Sequence, residues 1–225
     1  MLDGTLLAAL ADSDEARAVE IWAASVSQPL REFDAACRSS FTGITAAEAS
    51  TSALFSRFVN GALAADWACY EAEADRADYQ RLRAVIAAFP RGFRLWLCRN
   101  ADGAFASVGY TGWYPITAEA FAKAYEDPTR LTHRRELWPR SALSPNGDYL
   151  WLFNYCIVAS LRHSAQSREM LQTYATDLAG IPVRGMAAAV LSEESKKVVA
   201  RFGMVYRGDM THDGVRENVF AVRNS

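Results

Sequence analysis

The sequence lacks several features that define whole classes of protein. Among its 225 residues are 4 cysteines and 3 histidines, with no Cys-x-x-Cys pair and no His cluster at metal-ligand spacing. The longest apolar stretch, Tyr149 to Leu161, contains Asn154 and is shorter than the roughly 18 residues of a bilayer span. An excess of one charge sign is missing too, since 24 Lys and Arg face 26 Asp and Glu, for a net charge of -2. These absences argue against a metal site, a membrane segment and a surface devoted to nucleic acid.

The cysteines and the N-terminus predict a compartment. Cys37, Cys69, Cys98 and Cys156 lie far apart among apolar neighbours, which favours reduced, buried thiols. The first ten residues carry Asp3 where a signal peptide needs basic residues. We therefore expect a cytoplasmic protein. With 51% hydrophobic residues, the chain is long enough to form one or two domains with a sizeable core.

Residues 1–90 are rich in alanine and predict a helical region. Two pairs with capping-box spacing mark helix starts: Asp12 with Glu15, and Thr45 with Glu48. The first predicted helix ends before Pro29, and the second stops near Asn60-Gly61. A third helix runs from Tyr79 to Phe89. No strand is predicted in this third of the chain.

From residue 91 the pattern changes to strands. The segments Phe93–Cys98 and Ala104–Tyr110 predict a hairpin. Residues 111–148 then read as an insertion with a helix from Ala118 to Tyr125. The insertion also carries a basic group, which could meet a phosphate, an acidic acceptor or only solvent: Arg130, His133, Arg134, Arg135 and Arg140.

The last third follows the order strand, helix, strand, helix, strand, strand. The apolar runs Tyr149–Val158 and Val183–Val190 predict two buried, parallel, neighbouring strands. The helices are predicted at 166–178 and 192–202, with Ser192 as cap and Gly203 as stop. Two short strands, 205–207 and 218–222, close the sheet around Asp213-Gly214. The fold class is therefore α+β, with a mixed sheet.

Two motifs in this part of the chain carry a family resemblance. Arg162-x-x-Ala165-x-Ser167 resembles a relaxed form of the Arg/Gln-x-x-Gly-x-Gly/Ala loop of the GNAT superfamily, the acyl-CoA-dependent N-acyltransferases. Arg201-Phe202-Gly203-Met204 resembles the family's later motif, in which a helix ends before the final strand pair. The resemblance covers about residues 149–222. It implies a GNAT-like mixed central sheet flanked by helices in residues 91–225, with residues 1–90 as a helical extension packed on that core.

The resemblance implies acetyl-CoA or another acyl-CoA as cofactor. Loop amides at a helix start bind the pyrophosphate in that family, because unpaired N–H groups and the helix dipole attract anions. A strand N–H near residues 157–159 polarises the thioester carbonyl. Ala165 and Ser167 replace glycines, which the motif tolerates only if neither needs a positive φ. The implied cofactor-binding residues are Ile157, Val158, Ala159, Arg162, His163, Ser164, Ala165, Gln166, Ser167, Arg168 and Ser195.

The sequence gives only weak evidence for catalytic residues. Val199 stands where many members carry a Tyr that protonates the leaving thiolate. Three side chains have alternatives: Asp148 is a base or a turn cap, Asn154 a substrate contact or a satisfied core amide, and Tyr206 an acid or a packed strand residue. Tyr110, Trp113 and Tyr114 form a wall for an acyl chain or acceptor, or belong to the core. His133 and His212 are expected on the surface.

The resemblance thus implies an N-acyltransferase, with acetyl as the first choice of acyl group and a small-molecule or protein amine as acceptor. The alternative is a catalytically silent GNAT-fold module that binds a ligand or another protein. Its support is Val199, which stands where the family's general acid is usually a Tyr. Nucleic-acid binding through the basic group is the weakest hypothesis. The acceptor, the acyl length and a homodimer are left open.

Overall fold

The computed structural model describes residues 15–31, 33, 41–70, 72, 75–99, 104–212 and 215–224. In these ranges the helices are α1 (Glu15–Arg31), α2 (Ser52–Cys69), α3 (Tyr79–Ala88), α4 (Ala118–Glu126), α5 (Ala165–Ala179) and α6 (Glu193–Arg201). The strands are β1 (Thr42–Thr45), β2 (Phe93–Arg99), β3 (Phe105–Ile116), β4 (Asp148–Ile157), β5 (Val183–Val190), β6 (Val205–His212) and β7 (Val215–Arg223). None of the described helices is both long and apolar enough to cross a bilayer.

The strands form a mixed sheet, which confirms the α+β class. They are hydrogen-bonded in the order β1-β2-β3-β4-β5-β7-β6. β4 and β5 are parallel neighbours as expected, while β1 with β2, β5 with β7 and β6 with β7 are antiparallel. The continuous apolar runs of β4 and β5 fit strands in the interior of such a sheet.

The chain clusters into two compact units. The first comprises Met1–Thr111 and Tyr155–Ala175, and the second Gly112–Asn154 and Thr176–Ser225. The boundary near residue 90 that the sequence favoured falls inside the first unit. Strands β3 and β4 and helix α5 each continue from one unit into the other.

In the first unit, α1 runs past Pro29 to Arg31, so the helix end predicted before this proline is wrong. The Arg31 guanidinium donates to the carbonyl oxygens of Trp67, Ala68 and Tyr70 at 2.7–3.1 Å. Leu30 is buried. These contacts hold the last turn of α1 in place although the proline lacks an N–H. The capping residue Asp12 lies outside the described residues.

Helix α2 differs from its prediction at both ends. It begins at Ser52, where the Thr51 hydroxyl accepts the Leu54 N–H at 3.2 Å, and it continues through Asn60-Gly61 to Cys69. Gly61 lies inside the helix and packs closely against β3, since a Cβ there would stand 2.7 Å from Ser107 Oγ. Ten of its residues, between Phe58 and Ala68, are buried. Tertiary packing therefore overrides the local stop signal.

The expectation that the first third lacks a strand is also wrong. β1 pairs with β2 from Thr42 opposite Leu97 to Thr45 opposite Arg94. The Thr45 and Glu48 pair caps a short 3-10 turn, with Glu48 Oε2 accepting the Thr45 N–H at 2.6 Å. A four-residue strand that runs directly into a capped turn carries too short a pattern to be recognised.

In the second unit, the strand predicted to end at Tyr110 continues to Ile116, so the insertion begins later than expected. Helix α4 confirms the prediction for residues 118–125, and the Thr117 hydroxyl caps it. Ser192 caps α6 as expected, and Gly203 ends that segment with a φ of 74°. Asp213-Gly214 lies outside the described residues.

Candidate functional site

The segment that follows β4 contains most of the predicted site residues. The last pair of the β4–β5 ladder is Leu152 opposite Ala188, while β4 continues to Ile157. A 3-10 turn, Ala159–Leu161, and a short connection then lead into α5 at Ala165. The sequence therefore located the strand-to-helix connection correctly. We call residues 157–168 the β4–α5 loop.

The hydrogen bonds at the end of β4 show which of the predicted backbone N–H groups is directed away from β3. The Val158 N–H donates to the Val108 carbonyl of β3 at 2.9 Å, so it is not available to a ligand. Because backbone groups alternate along a strand, the N–H and C=O of Ile157 point away from β3. The Ile157 carbonyl accepts Arg162 Nε at 3.4 Å. Ile157 is thus the strand residue with the suitable direction.

The amides at the start of α5 are partly used within the loop itself. Ser164 donates its N–H to the Leu161 carbonyl at 3.3 Å and accepts the Ser167 N–H on its hydroxyl at 3.2 Å. The Arg168 N–H donates to the Ser164 carbonyl. Within the described part of the chain, the His163 and Ala165 N–H groups have no partner. Fewer amides than the resemblance implied are therefore open to an anion.

The missing glycines do not distort the loop. His163 has a φ of 60°, and it is the one non-glycine residue with a positive φ in the described ranges. Ala165 and Ser167 therefore meet the condition under which small side chains replace the family glycines. The left-handed backbone conformation belongs to His163, and histidine adopts it more often than most residue types do.

The two loop arginines have different environments. The guanidinium of Arg162 bridges two backbone carbonyls, those of Ile157 and Cys69, each at 3.4 Å. Arg168 is exposed and makes no side-chain hydrogen bond or ion pair with the described residues. Arg168 is consequently the arginine that is ready to contact an anion.

A buried polar cluster in the first unit was missed by the sequence reasoning. Asp66 of α2 is 2% exposed, and its carboxylate accepts the Tyr110 hydroxyl at 2.8 Å and the Ala77 N–H at 2.7 Å. Burial and the Asp66 charge raise the pKa of Tyr110 well above its ordinary value. The available signal was a single carboxylate in the apolar run 58–69 of the sequence, since a buried charge is more informative than an exposed one.

The C-terminal end of α2 attracts further cations. Arg31 binds the Trp67 and Ala68 carbonyls of α2 and that of the following Tyr70. Arg76 Nε donates to the Tyr70 carbonyl at 3.2 Å, and Arg162 binds the Cys69 carbonyl. The negative end of the helix dipole and the unpaired last carbonyls favour this arrangement. The same end carries the Cys69 thiol, which is hydrogen-bonded to the Cys156 thiol of β4.

The predicted aromatic wall lies in the core. Tyr110, Trp113 and Tyr114 are all buried, and none of the three side chains is more than 3% exposed. Of the alternatives that the sequence left open, the structure favours core packing over a wall in contact with an acceptor. The Tyr110 hydroxyl donates to the Asp66 carboxylate.

Asp148 and Tyr206 are engaged with other side chains. Asp148 is 1% exposed, forms an ion pair with Arg140 at 2.5 Å and accepts the Ser144 N–H at 2.6 Å, which supports its role as a turn cap. Tyr206 is 53% exposed, so it is not the packed strand residue that was the alternative to an acid. Its hydroxyl donates to Asp209 at 2.9 Å, and this bond raises the pKa of Tyr206. Asn154 is half-buried in β4.

Tyr206 belongs to a shallow depression on the β6–β7 hairpin. The depression has a volume of about 320 Å³ and is lined by Lys196, Tyr206, Asp209, Arg216, Asn218 and Phe220. Asp209 accepts the guanidinium of Arg216 and the amide of Asn218, and the hydrogen bond from Arg216 lowers the pKa of Asp209. The polar groups here satisfy one another.

Helix α6 offers no proton donor at the expected position. Val199 is buried, with 6% of its surface exposed. Ser195 donates its N–H to the Ser192 hydroxyl at 3.1 Å and contacts that hydroxyl with its own. Ser195 therefore belongs to the N-terminal cap of α6.

Two histidine expectations have different outcomes. His133 is exposed, as predicted. His212 is 4% exposed and lies between Arg134 Nε, at 2.8 Å from Nδ1, and Glu217, at 2.5 Å from Nε2, so the surface assignment is wrong. The basic group is accordingly not one open patch, because Arg134 and Arg140 have internal partners. Among the described residues there is also no group of three or more side chains suited to hold a metal ion.

Known structures with a similar fold were found, whereas no protein-family model and no curated protein matches the sequence. The loading GNATL domain of CurA from Lyngbya majuscula has a TM-score of 0.54 at 12% identity, over 82% of this chain and 98% of that one. The NatC complex bound to Gag peptide and CoA gives 0.54 at 7% identity, over 82% and 99%. The GphF GNAT-like decarboxylase in complex with isobutyryl-CoA gives 0.52 at 14%, over 82% and 98%. The chain therefore shares the GNAT fold of these structures at 7–14% sequence identity.

Proposed function

We propose that the protein is an acyl-CoA-dependent acyltransferase whose acceptor is an amine of a small molecule or a protein. The observation that supports this most is the β4–α5 loop, in which open amides and an unpaired arginine follow a strand end with a suitably directed N–H. Two of the similar structures contain CoA or isobutyryl-CoA. Free thiols among the described residues fit a reducing compartment, and we propose the cytoplasm.

The start of α5 would hold the CoA pyrophosphate. The free His163 and Ala165 amides and the positive end of the helix dipole supply donors for its oxygens. The small side chain of Ala165 allows a close approach. Arg168, exposed and unpaired among the described residues, adds a charge-assisted contact.

The end of β4 would orient the thioester. An N–H of Ile157 directed away from β3 can donate to the carbonyl oxygen, whose negative charge grows as the amine attacks. The new C–N bond replaces the C–S bond, the amine loses a proton, and the thiolate of CoA gains one. Positioning of the two reactants supplies much of the rate enhancement in such direct transfers.

Proton transfer separates this proposal from its alternative. Val199 has no hydroxyl, Asp148 is paired with Arg140, and the Tyr206 hydroxyl donates to Asp209. These facts favour a slow enzyme, in which water exchanges the protons, or the second candidate, a catalytically silent module that binds acyl-CoA or a protein partner.

Thiol release distinguishes the two candidates. Acetyl-CoA and longer acyl-CoA esters are incubated with a panel of amines and peptides, and free CoA is measured against a control without protein. The acyltransferase proposal expects amine-dependent CoA release, with the acylated amine detected by mass spectrometry. CoA binding without any release would support the silent module instead.

One further substrate belongs in this assay. Because one similar structure is a GNAT-like decarboxylase, a carboxylated acyl-CoA is included with detection of carbon dioxide. Carbon dioxide without acylated amine would contradict the amine-transfer proposal while it preserves acyl-CoA binding at the loop.

A further inference from the structure

Two cysteine thiols meet where α2 ends and β4 ends. Cys69 is the last residue of α2, and Cys156 lies in β4 directly before Ile157. The two thiols are hydrogen-bonded to each other, and both are reduced. Arg162 joins the same two segments, since its guanidinium contacts the carbonyls of Cys69 and Ile157 at 3.4 Å. Side chain and backbone contacts therefore agree that these segments lie side by side.

The two cysteines differ in access to solvent. Cys156 is 5% exposed, whereas Cys69 is only partly buried. Burial is the main reason why the pKa of the Cys156 thiol is raised well above its ordinary value. Because Cys69 is the more accessible thiol, a dissolved oxidant reaches it first. The raised pKa keeps the Cys156 thiol protonated, so Cys156 reacts only with an oxidised sulfur held beside it.

We propose that Cys69 and Cys156 form a reversible disulfide when the protein meets a peroxide. The Cys69 sulfur takes one oxygen from hydrogen peroxide, which becomes water, and the cysteine becomes a sulfenic acid. The Cys156 sulfur then attacks this sulfur, and the hydroxyl leaves as a second water with the Cys156 proton. Two thiols are oxidised, one peroxide is reduced, and a dithiol reductant reverses the reaction.

This bond would regulate the cofactor site, an extension that rests on the proposed function. A disulfide requires the sulfurs to approach to about 2.05 Å, so the end of β4 is drawn towards the end of α2. Ile157 follows Cys156 in β4, and Arg162 is already held between the two segments. The space beside the Ile157 N–H therefore narrows, and the affinity for CoA falls.

Mass spectrometry tests the bond without reference to CoA. The full chain is reduced, desalted, treated with hydrogen peroxide, blocked with iodoacetamide and digested. We expect a peptide pair linked through Cys69 and Cys156, which dithiothreitol separates. The link should persist in Cys98→Ala and Cys37→Ala variants and vanish in Cys69→Ala and Cys156→Ala. Oxidised protein with both thiols unlinked, or with Cys37 linked to either one, overturns the proposal.

Calorimetry with CoA tests the regulation. Reduced protein should bind about tenfold more tightly than oxidised protein, which corresponds to the usual size of an allosteric coupling. Peroxide should leave the affinity of Cys69→Ala unchanged. Equal affinities of the linked and reduced forms overturn the regulatory step. If reduced protein binds no CoA, the proposed function fails, while the peptide link still decides the disulfide.

Discussion

At the scale of single residues, Asp66 organises the polar interior of the first unit. Its carboxylate binds the Tyr110 hydroxyl of β3 and the Ala77 N–H, and it is almost fully buried. A buried charge is tolerated only when its hydrogen bonds are made. The sequence shows a carboxylate in an apolar run. It could not show which groups bind Asp66, because Ala77 and Tyr110 are remote from it along the chain.

Titration of Tyr110 is expected to make the folded state less stable at alkaline pH. Burial and the Asp66 charge raise its pKa in the folded protein, whereas an unfolded tyrosine titrates near 10. The folded state therefore holds this proton at a pH where the unfolded state loses it. Stability from this group is fully present below about pH 10 and is lost as the pH rises further.

We expect the free energy of unfolding, measured with urea between pH 8 and 11, to fall above about pH 10. Tyr110→Phe should be less stable at neutral pH, because Asp66 loses a donor, and its stability should change less across the alkaline range. The same alkaline slope in parent and variant would show that Tyr110 is not the titrating group.

At the scale of elements, the contact between β3 and β4 depends on Gly109. A Cβ at this position would overlap the carbonyl oxygen of Cys156, a backbone atom that cannot rotate away. The strands come this close in the part of β4 that leads into the β4–α5 loop. The packing of Gly109 in β3 therefore affects the position of the β4–α5 loop, which follows β4.

Gly109→Ala should lower the free energy of unfolding by about 3 kcal/mol or more, because the backbone must shift. Gly180→Ala is the matched control, since a Cβ there meets nothing within 4 Å. Urea unfolding of both variants measures the difference. A Gly109→Ala protein as stable as the Gly180→Ala protein would contradict this packing.

The helices and strands also show how much of the structure could be predicted from the sequence. β5 and α4 were predicted almost to the residue, because their periodicity is undisturbed and their ends carry turn or cap residues. Pro29 and Gly61 were misread as helix ends, since contacts from distant residues decide both. For the same reason the motif placed the β4–α5 loop but could not say that Val158 and Ser167 already use their amides.

At the scale of the whole molecule, the GNAT fold was predictable from the order of strands and helices after residue 149, together with the two motifs. The structures compared share at most 14% identity with this chain. The acyl-CoA site that we propose lies at the β4–α5 loop of this fold. The side chains of that loop determine whether acyl-CoA binds there and reacts.

The near-neutral charge of the chain conceals an uneven distribution. Three arginines bind the end of α2, and two from the basic insertion pair with Asp148 and His212. Arg168 is left exposed and without a side-chain partner among the described residues, three positions after the open amide of Ala165. Its charge is therefore the sharpest probe of the proposed anion site.

Calorimetric titration of the reduced protein with CoA tests the central claim most directly. We expect one CoA per chain and a loss of at least about tenfold in affinity for Arg168→Glu, since a phosphate contact is replaced by repulsion. Arg57→Glu, a charge reversal at an exposed site on α2, should bind like the parent. No binding by the parent at millimolar CoA, or equal losses in both variants, would contradict a cofactor site at the β4–α5 loop.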